Sequence, residues 1–305
     1  MSDEASDGLN YFLNSAQMRK LARLTLQSRD VVEGNLAGRH RSPSRGQSTE
    51  FADHRPYIPG DDLKRLDWKV LGRTERHYIR RYQDETNLRV YLLVDRSASM
   101  NYSSDPSLPT KYHYACQLAA ALGYVVVRGR DAVGWQIFSN KIDASLPARN
   151  SLLELNNALK YLRKSEPAGT TSTAMALNLV AESIRRRAMV IVISDLLDEQ
   201  GEIVKALAHF RKQHHDVIVF HVLDPRELDL GFRRGGEFED LETGEKLTVD
   251  PRSVAEAYRK IFGEFIDGYR KACSEMRIDY RLASTSEPLD TFARAYLEER
   301  KRLSR

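Results

Sequence analysis

Alternating strand and helix segments predict an α/β chain. The expected architecture is a doubly wound, mainly parallel sheet, preceded by a small N-terminal lobe containing β-structure. Three observations carry this. Apolar runs rich in Val and Ile recur between amphipathic segments. These runs lack the polar alternation of a half-exposed strand, so each suits a strand buried on both faces. Two of them, YLLVD and VIVISD, end abruptly in aspartate, at Asp95 and Asp195. Parallel neighbours need right-handed crossovers, which the intervening helices supply.

Taken in order, residues 1–12 are expected to be frayed and 13–37 to form a helix, with Leu13, Met18, Leu21, Leu24 and Leu26 as its apolar positions. Residues 38–87 are rich in Gly, Pro and Arg and predict short strands and turns, with Pro59-Gly60 as a turn signal. Strands follow at 88–95, 132–139, 188–195 and 216–224, and helices at 110–128, 151–162, 172–187 and 202–213. The segment FEDLETGEKLTVD reads as a hairpin turning at Thr243-Gly244-Glu245. A helix at 251–275, a strand at 278–285 and a terminal helix at 288–304 complete the chain. The domains expected are residues 1–85, an N-terminal segment, and 86–305, an α/β domain with a hairpin insertion at about 225–250.

Composition narrows the class. The chain has 305 residues, 41% hydrophobic and 30% charged, which suits a soluble globular protein with a substantial core. Two cysteines make no disulfide framework, so a reducing, cytoplasmic setting is expected. Neither a signal-peptide stretch nor a membrane span is read anywhere. Net charge is +4, and residues 38–82 hold 11 Lys/Arg against 6 Asp/Glu, a net of +5.

The chemistry concentrates at strand ends. In an open doubly wound sheet, ligands bind beyond the carboxyl ends of strands where the strand order reverses. With the order 3-2-1-4-5-6, the strands ending at Asp95 and Asp195 are neighbours and their carboxylates face one crevice. Ser97 and Ser99 follow Asp95 at alternate positions, and EPAGTTSTAMAL (166–177) brings Thr170, Thr171 and Ser172 to a helix start. Carboxylates and hydroxyls are hard oxygen ligands, suited to Mg²⁺ or Mn²⁺, with Ca²⁺ also admitted, rather than zinc. An ion so held stays electrophilic and seeks a further anionic ligand.

Asp95-Arg96-Ser97-Ala98-Ser99, the threonine turn and Ser194-Asp195 together resemble a von Willebrand factor A domain. Such domains carry a metal-ion-dependent adhesion site of pattern DxSxS…T…D. The resemblance assigns the metal to Asp95, Ser97, Ser99, Thr171 and Asp195, with Thr170 one residue from the threonine position, and implies a protein partner whose carboxylate completes the coordination. Further motifs are similar to those of the bacterial DUF58 family: Arg45-Gly46, Glu50-Phe51, Arg55-x-Tyr57-x-Pro59-Gly60-Asp61-Asp62, Asp67-Trp68, Asp224-Pro225-x-Glu227 and Glu242-Thr243-Gly244. That resemblance implies a partner or adaptor of a MoxR-type AAA+ ATPase in a chaperone-like assembly process, with no catalytic role.

Several residues have plainer readings. Asp198 is expected to cap the helix beginning near Glu202, and Arg96 to be a solvated side chain. Cys116 is expected to be a core thiol, LGYVVV core helix, and His214-His215 no metal site. Arg55, Asp61, Asp62, Asp67 and Trp68 are expected to hold the N-terminal lobe or form a partner surface. Walker A, G-x-S-x-G and H-E-x-x-H signatures are not found. The alternatives are a metal-dependent phosphohydrolase, which needs a base not seen in the three loops, and a nucleic-acid-associated protein using the basic 38–82 segment.

Overall fold

The computed structural model describes residues 7–28, 51–58, 66–74, 76–82, 88–169, 172–231, 236–241 and 244–303. Two compact units emerge, one of Met1–Asp30 with Leu88–Arg305, the other Val31–Asn87. The first thirty residues therefore group with the large unit, and not with the signature segment beside which 1–85 had placed them.

The N-terminus departs from expectation. Residues 7–12 are not frayed: they form helix α1 (Asp7–Phe12), whose first amides, Gly8 N and Leu9 N, donate to the buried Asn156 Oδ1 at 2.8 and 3.0 Å. No single helix runs from residue 13. Asn14 starts a fresh one, α2 (Ser15–Leu21), through a reciprocal capping box with Gln17. Beyond Leu21 the described chain to Ser28 is not helical. The apolar spacing there reflects docking instead, for Leu26 is buried and Gln27 O accepts from Arg300 Nε at 2.6 Å.

In the smaller unit, strands β1 (Phe51–Pro56) and β2 (Tyr78–Tyr82) pair antiparallel. Between them lies an unexpected helix, α3 (Trp68–Thr74). Its start is marked by the buried Asp67, whose Oδ1 accepts from Val70 N, while Trp68 is 65% exposed. The Pro59-Gly60 turn, Asp61 and Asp62 lie outside the described residues, as do Arg45, Gly46 and Glu50.

In the large unit the chain runs β3 (Arg89–Asp95), a 3₁₀ turn (Ala98–Asn101), α4 (Lys111–Arg128), β4 (Ala132–Phe138), β5 (Ile142–Arg149), α5 (Leu152–Lys164), α6 (Thr173–Ser183) and β6 (Met189–Ser194). It continues through α7 (Gln200–Lys212), β7 (Asp216–Leu223), α8 (Pro225–Asp229), β8 (Gly236–Glu239), β9 (Lys246–Val249), α9 (Pro251–Glu275), β10 (Asp279–Ser284) and α10 (Leu289–Leu303). Six strands form one sheet in the order β10-β7-β6-β3-β4-β5. Numbered within the sheet this is 3-2-1-4-5-6. All neighbours are parallel except β5, which runs antiparallel at the edge beside β4.

Strand β5 went unread because its residues alternate between half-buried and exposed, as an edge allows. By contrast β6 and β7 are buried along their whole length, as their unbroken Val/Ile runs require. The short helix α8 also went unread, its sequence being only five residues long. Asp224 caps it, Pro225 opens it, and Glu227 closes a capping box. The hairpin expected within 238–250 forms, β8 pairing β9 antiparallel, while Glu242 and Thr243 of its turn lie outside the described residues.

Helices cover both faces. Helices α6, α7 and α9 pack on one side around Leu177, Leu207, Phe210, Tyr269 and Cys273. On the other, α4 is buried along most of its length, including Cys116 and the LGYVVV segment, and packs with α1, α2, α5 and α10. At the amino ends of the strands, buried Arg300 of α10 reaches Asp216 at 2.6 Å and Asp279 at 3.0 Å. His215 Nδ1 accepts from Ala188 N at 3.1 Å, a structural role.

Candidate functional site

The site lies beyond the carboxyl ends of β3 and β6, adjacent strands at the reversal of strand order. Asp95 ends β3 and is fully buried. Its Oδ1 accepts from Ser97 N at 2.8 Å and its Oδ2 from Ser194 Oγ at 2.6 Å. Ser194 Oγ also accepts from Leu196 N at 3.0 Å, so the last residue of β6 ties the two strand ends together. Ser97 and Ser99 bring their hydroxyl oxygens within 3.0 Å of each other.

Neighbouring loops hold this turn. Arg96 N donates to Phe138 O (2.8 Å), Ala168 N to Arg96 O (3.0 Å), and Ala98 N to Gly169 O (3.2 Å). Gly169 has φ +90°, a conformation natural to glycine, and immediately precedes the threonines. Thr170 and Thr171 themselves lie outside the described residues. Arg96 is not a solvated side chain: its Nε donates to Asp143 Oδ2 at 2.8 Å and its Nη1 to Glu166 O at 2.5 Å. It staples the Ser97 turn to the start of β5 and to the segment leading into Gly169.

Asp195 follows β6 and is fully buried. The next residue, Leu196, adopts φ +52°, unfavourable for leucine and sustained by burial and by Tyr269 OH, which donates to Leu196 O at 3.1 Å. Asp198 does not cap α7, whose N-cap is Glu199; its carboxylate accepts from Glu199 N at 2.7 Å and Ala174 N at 3.4 Å, linking this loop to α6.

The residue that sequence reasoning missed is Lys111, the first of α4. Its fully buried Nζ donates to Asp195 Oδ2 at 2.7 Å and to Glu227 Oε1 at 2.6 Å. A signal existed. A lysine at the first position of an otherwise apolar helix opposes the helix dipole, and so implies a nearby carboxylate. Glu227 and Asp224 were noted only as motif residues. Here Asp224 caps α8 and accepts from Ser104 N at 3.0 Å, while Glu227 ties that helix to Lys111.

Electrostatics set the three acids apart. Burial, reinforced by the Asp195 charge, pushes Asp95 up to about 7. Burial also raises Glu227, against the pull of Lys111. Burial alone would lower Lys111, but Asp195 and Glu227 reverse this and hold it above its ordinary range. The built-in cation therefore serves Asp195 and Glu227. Among the described residues, Asp95 receives only neutral donors, from Ser97 and Ser194. A divalent cation fits that arrangement, since it would supply the positive charge that buried Asp95 lacks, beside two converging hydroxyls. No group of three His, Cys, Asp or Glu side chains forms a metal cluster among the described residues. Any cation here must accept hydroxyl ligands.

A cavity of about 390 Å³ opens beside Ser99 and Lys111, bounded by Tyr102, Leu230, Leu241 and Tyr258. The hairpin insertion thus contributes to the wall of a pocket at the site. Among the described residues, no helix is long and apolar enough to cross a membrane.

Comparison with known proteins gives three kinds of likeness. Uncharacterized protein Rv1480 of Mycobacterium tuberculosis and uncharacterized protein Mb1516 of Mycobacterium bovis are each 29% identical to this chain over 238 residues. The match covers 76% of this chain and 73% of theirs. Among solved structures, an aerotolerance-related membrane protein from Bacteroides fragilis aligns over 70% of this chain and 99% of its own, with 19% identity and a TM-score of 0.48. Conserved hypothetical protein BatB from Bacteroides thetaiotaomicron aligns over 71% and 98%, with 18% identity and a TM-score of 0.44. A family model described as "Protein of unknown function DUF58" matches residues 53–266, a span that runs from β1 into α9 and contains Asp95, Ser97, Ser99, Lys111, Asp195 and Glu227. On that match, which takes in well over half of its length, the chain belongs to the DUF58 family.

Proposed function

We propose that this chain is a non-catalytic, metal-dependent protein-interaction module of the von Willebrand factor A type, acting in the cytoplasm. The observation that carries the reading is Asp95: a buried carboxylate with no cationic partner among the described residues, beside the paired Ser97 and Ser99 hydroxyls and close enough to Asp195 to feel its charge. The 3-2-1-4-5-6 sheet, with both aspartates at its reversal point, supports the same reading.

Asp95, Ser97, Ser99 and Asp195 would hold Mg²⁺ or Mn²⁺, with Thr171 supplying the remaining hydroxyl. The bound ion would offer an electrophilic position to a partner's carboxylate. Lys111 holds one oxygen of Asp195 and stays protonated between two acids, so it offers no base for hydrolysis. The family resemblance supplies the partner class, a MoxR-type AAA+ ATPase served in a chaperone-like assembly step. Such a contact needs the cation and the partner's acid together, which makes it switchable.

The test is capture of a purified MoxR-type ATPase by the immobilised chain. Retention is expected with Mg²⁺, and loss is expected with a chelator or in Asp95→Ala. Equal retention in all three conditions would overturn the reading.

A further inference from the structure

We propose that the groove between α6 and α7 is a docking site for a basic amphipathic helix of a partner protein. The inner face of α6 is spent on the core, with Ala176, Leu177, Val180 and Ala181 buried. Met175 and Leu179, four residues apart on another face, are 60% and 45% exposed. A helix covering a core normally carries polar side chains at such positions. Here the two apolar groups border a groove of about 480 Å³.

The polar border of this groove is one-signed. Glu182, Asp198, Glu199 and Glu202 line it, and among the described residues no lysine or arginine does, although the chain as a whole is net positive at +4. Glu202 is bonded to the exposed Lys205. Glu182, Asp198 and Glu199 form no ion pair among the described residues. Asp198, one of the residues lining the groove, is held in place by its bonds from Glu199 N and Ala174 N.

An apolar line flanked by carboxylates complements a helix with a Leu-type stripe between lysines or arginines, the helix-in-groove mode of recognition. Methionine suits such a surface because its side chain adapts to differing apolar partners. The same border repels phosphate, which disfavours nucleic acid and anionic lipid as occupants. The inference needs no metal at Asp95 and stands apart from that reading.

The probe is a fluorescein-labelled helical peptide of about 14 residues, built from Leu and Lys with the leucines on one stripe. A control peptide replaces each Lys by Glu. Fluorescence anisotropy is expected to show saturable, one-to-one binding of the Lys peptide to the full chain. Affinity is expected to fall about tenfold or more in Leu179→Lys and in the double variant Glu182→Lys/Glu199→Lys, and to stay unchanged in Ile261→Lys, an exposed apolar site on α9. Absence of saturable binding, equal affinity for the Glu peptide, equal affinity of the groove variants, or loss in Ile261→Lys would each overturn the proposal.

Discussion

His221 lies on β7 opposite Ser194 in the ladder, fully buried, with its Nδ1 2.6 Å from Tyr280 OH. Burial lowers its pKa from 6.5 to about 4. The unfolded chain therefore binds a proton between about pH 6.5 and 4 that the folded chain does not. Stability from this residue is complete above 6.5 and is lost as pH falls towards 4, with a slope of up to about 1.4 kcal/mol per pH unit. Asp95 works in the opposite sense. Its folded pKa of about 7 exceeds the ordinary 3.8, so its share is present below 3.8 and is lost as pH rises to 7. Comparing His221→Asn with the wild type separates the two. Urea unfolding across pH 4 to 7 is expected to show the variant losing less stability on acidification. Parallel curves would mean that His221 is not held neutral by its surroundings.

At the scale of elements, α4 is joined to α8 and to the end of β6 through one side chain. Lys111→Met would leave Asp195 and Glu227 facing each other without a cation, at a cost of about 3–5 kcal/mol. Adding Glu227→Gln removes one of the stranded charges and is expected to restore part of that loss, so the two changes should be non-additive. Urea unfolding of the single and double variants measures this, and full stability of Lys111→Met would contradict the role assigned to the pair. This element-level link was not legible beforehand, because it depends on three residues separated by 84 and 116 positions. Strands β3, β6 and β7 were legible, because burial on both faces leaves an unbroken apolar run. Edge strand β5 was not, since its half-exposed residues form no unbroken apolar run, and helix α8 was not, since five residues are too few to have a helical period. The helix expected at 13–37 shows the reverse error. Over its described part the apolar spacing came from the short helix α2, opened by the capping box at Asn14, and from non-helical chain docking Leu26 on the core; residues 29–37 lie outside the described residues.

At the scale of the molecule, a doubly wound sheet brings together what the chain keeps apart. Asp95 and Asp195 were readable as strand-end acids, and their adjacency followed from the strand order that the structure has. The internal cation was not readable from the loops, because Lys111 enters from a helix. It changes the account of the site, since Asp195 already has a counter-charge and Asp95, among the described residues, does not. The central claim is that Asp95 and its neighbours hold a divalent cation. Calorimetric titration of Mg²⁺ and Mn²⁺ into chelator-treated protein, wild type against Asp95→Ala, tests it most directly. One saturable site in the wild type, absent from Asp95→Ala, is the predicted result. Binding of equal strength in both proteins, or in neither, would contradict it.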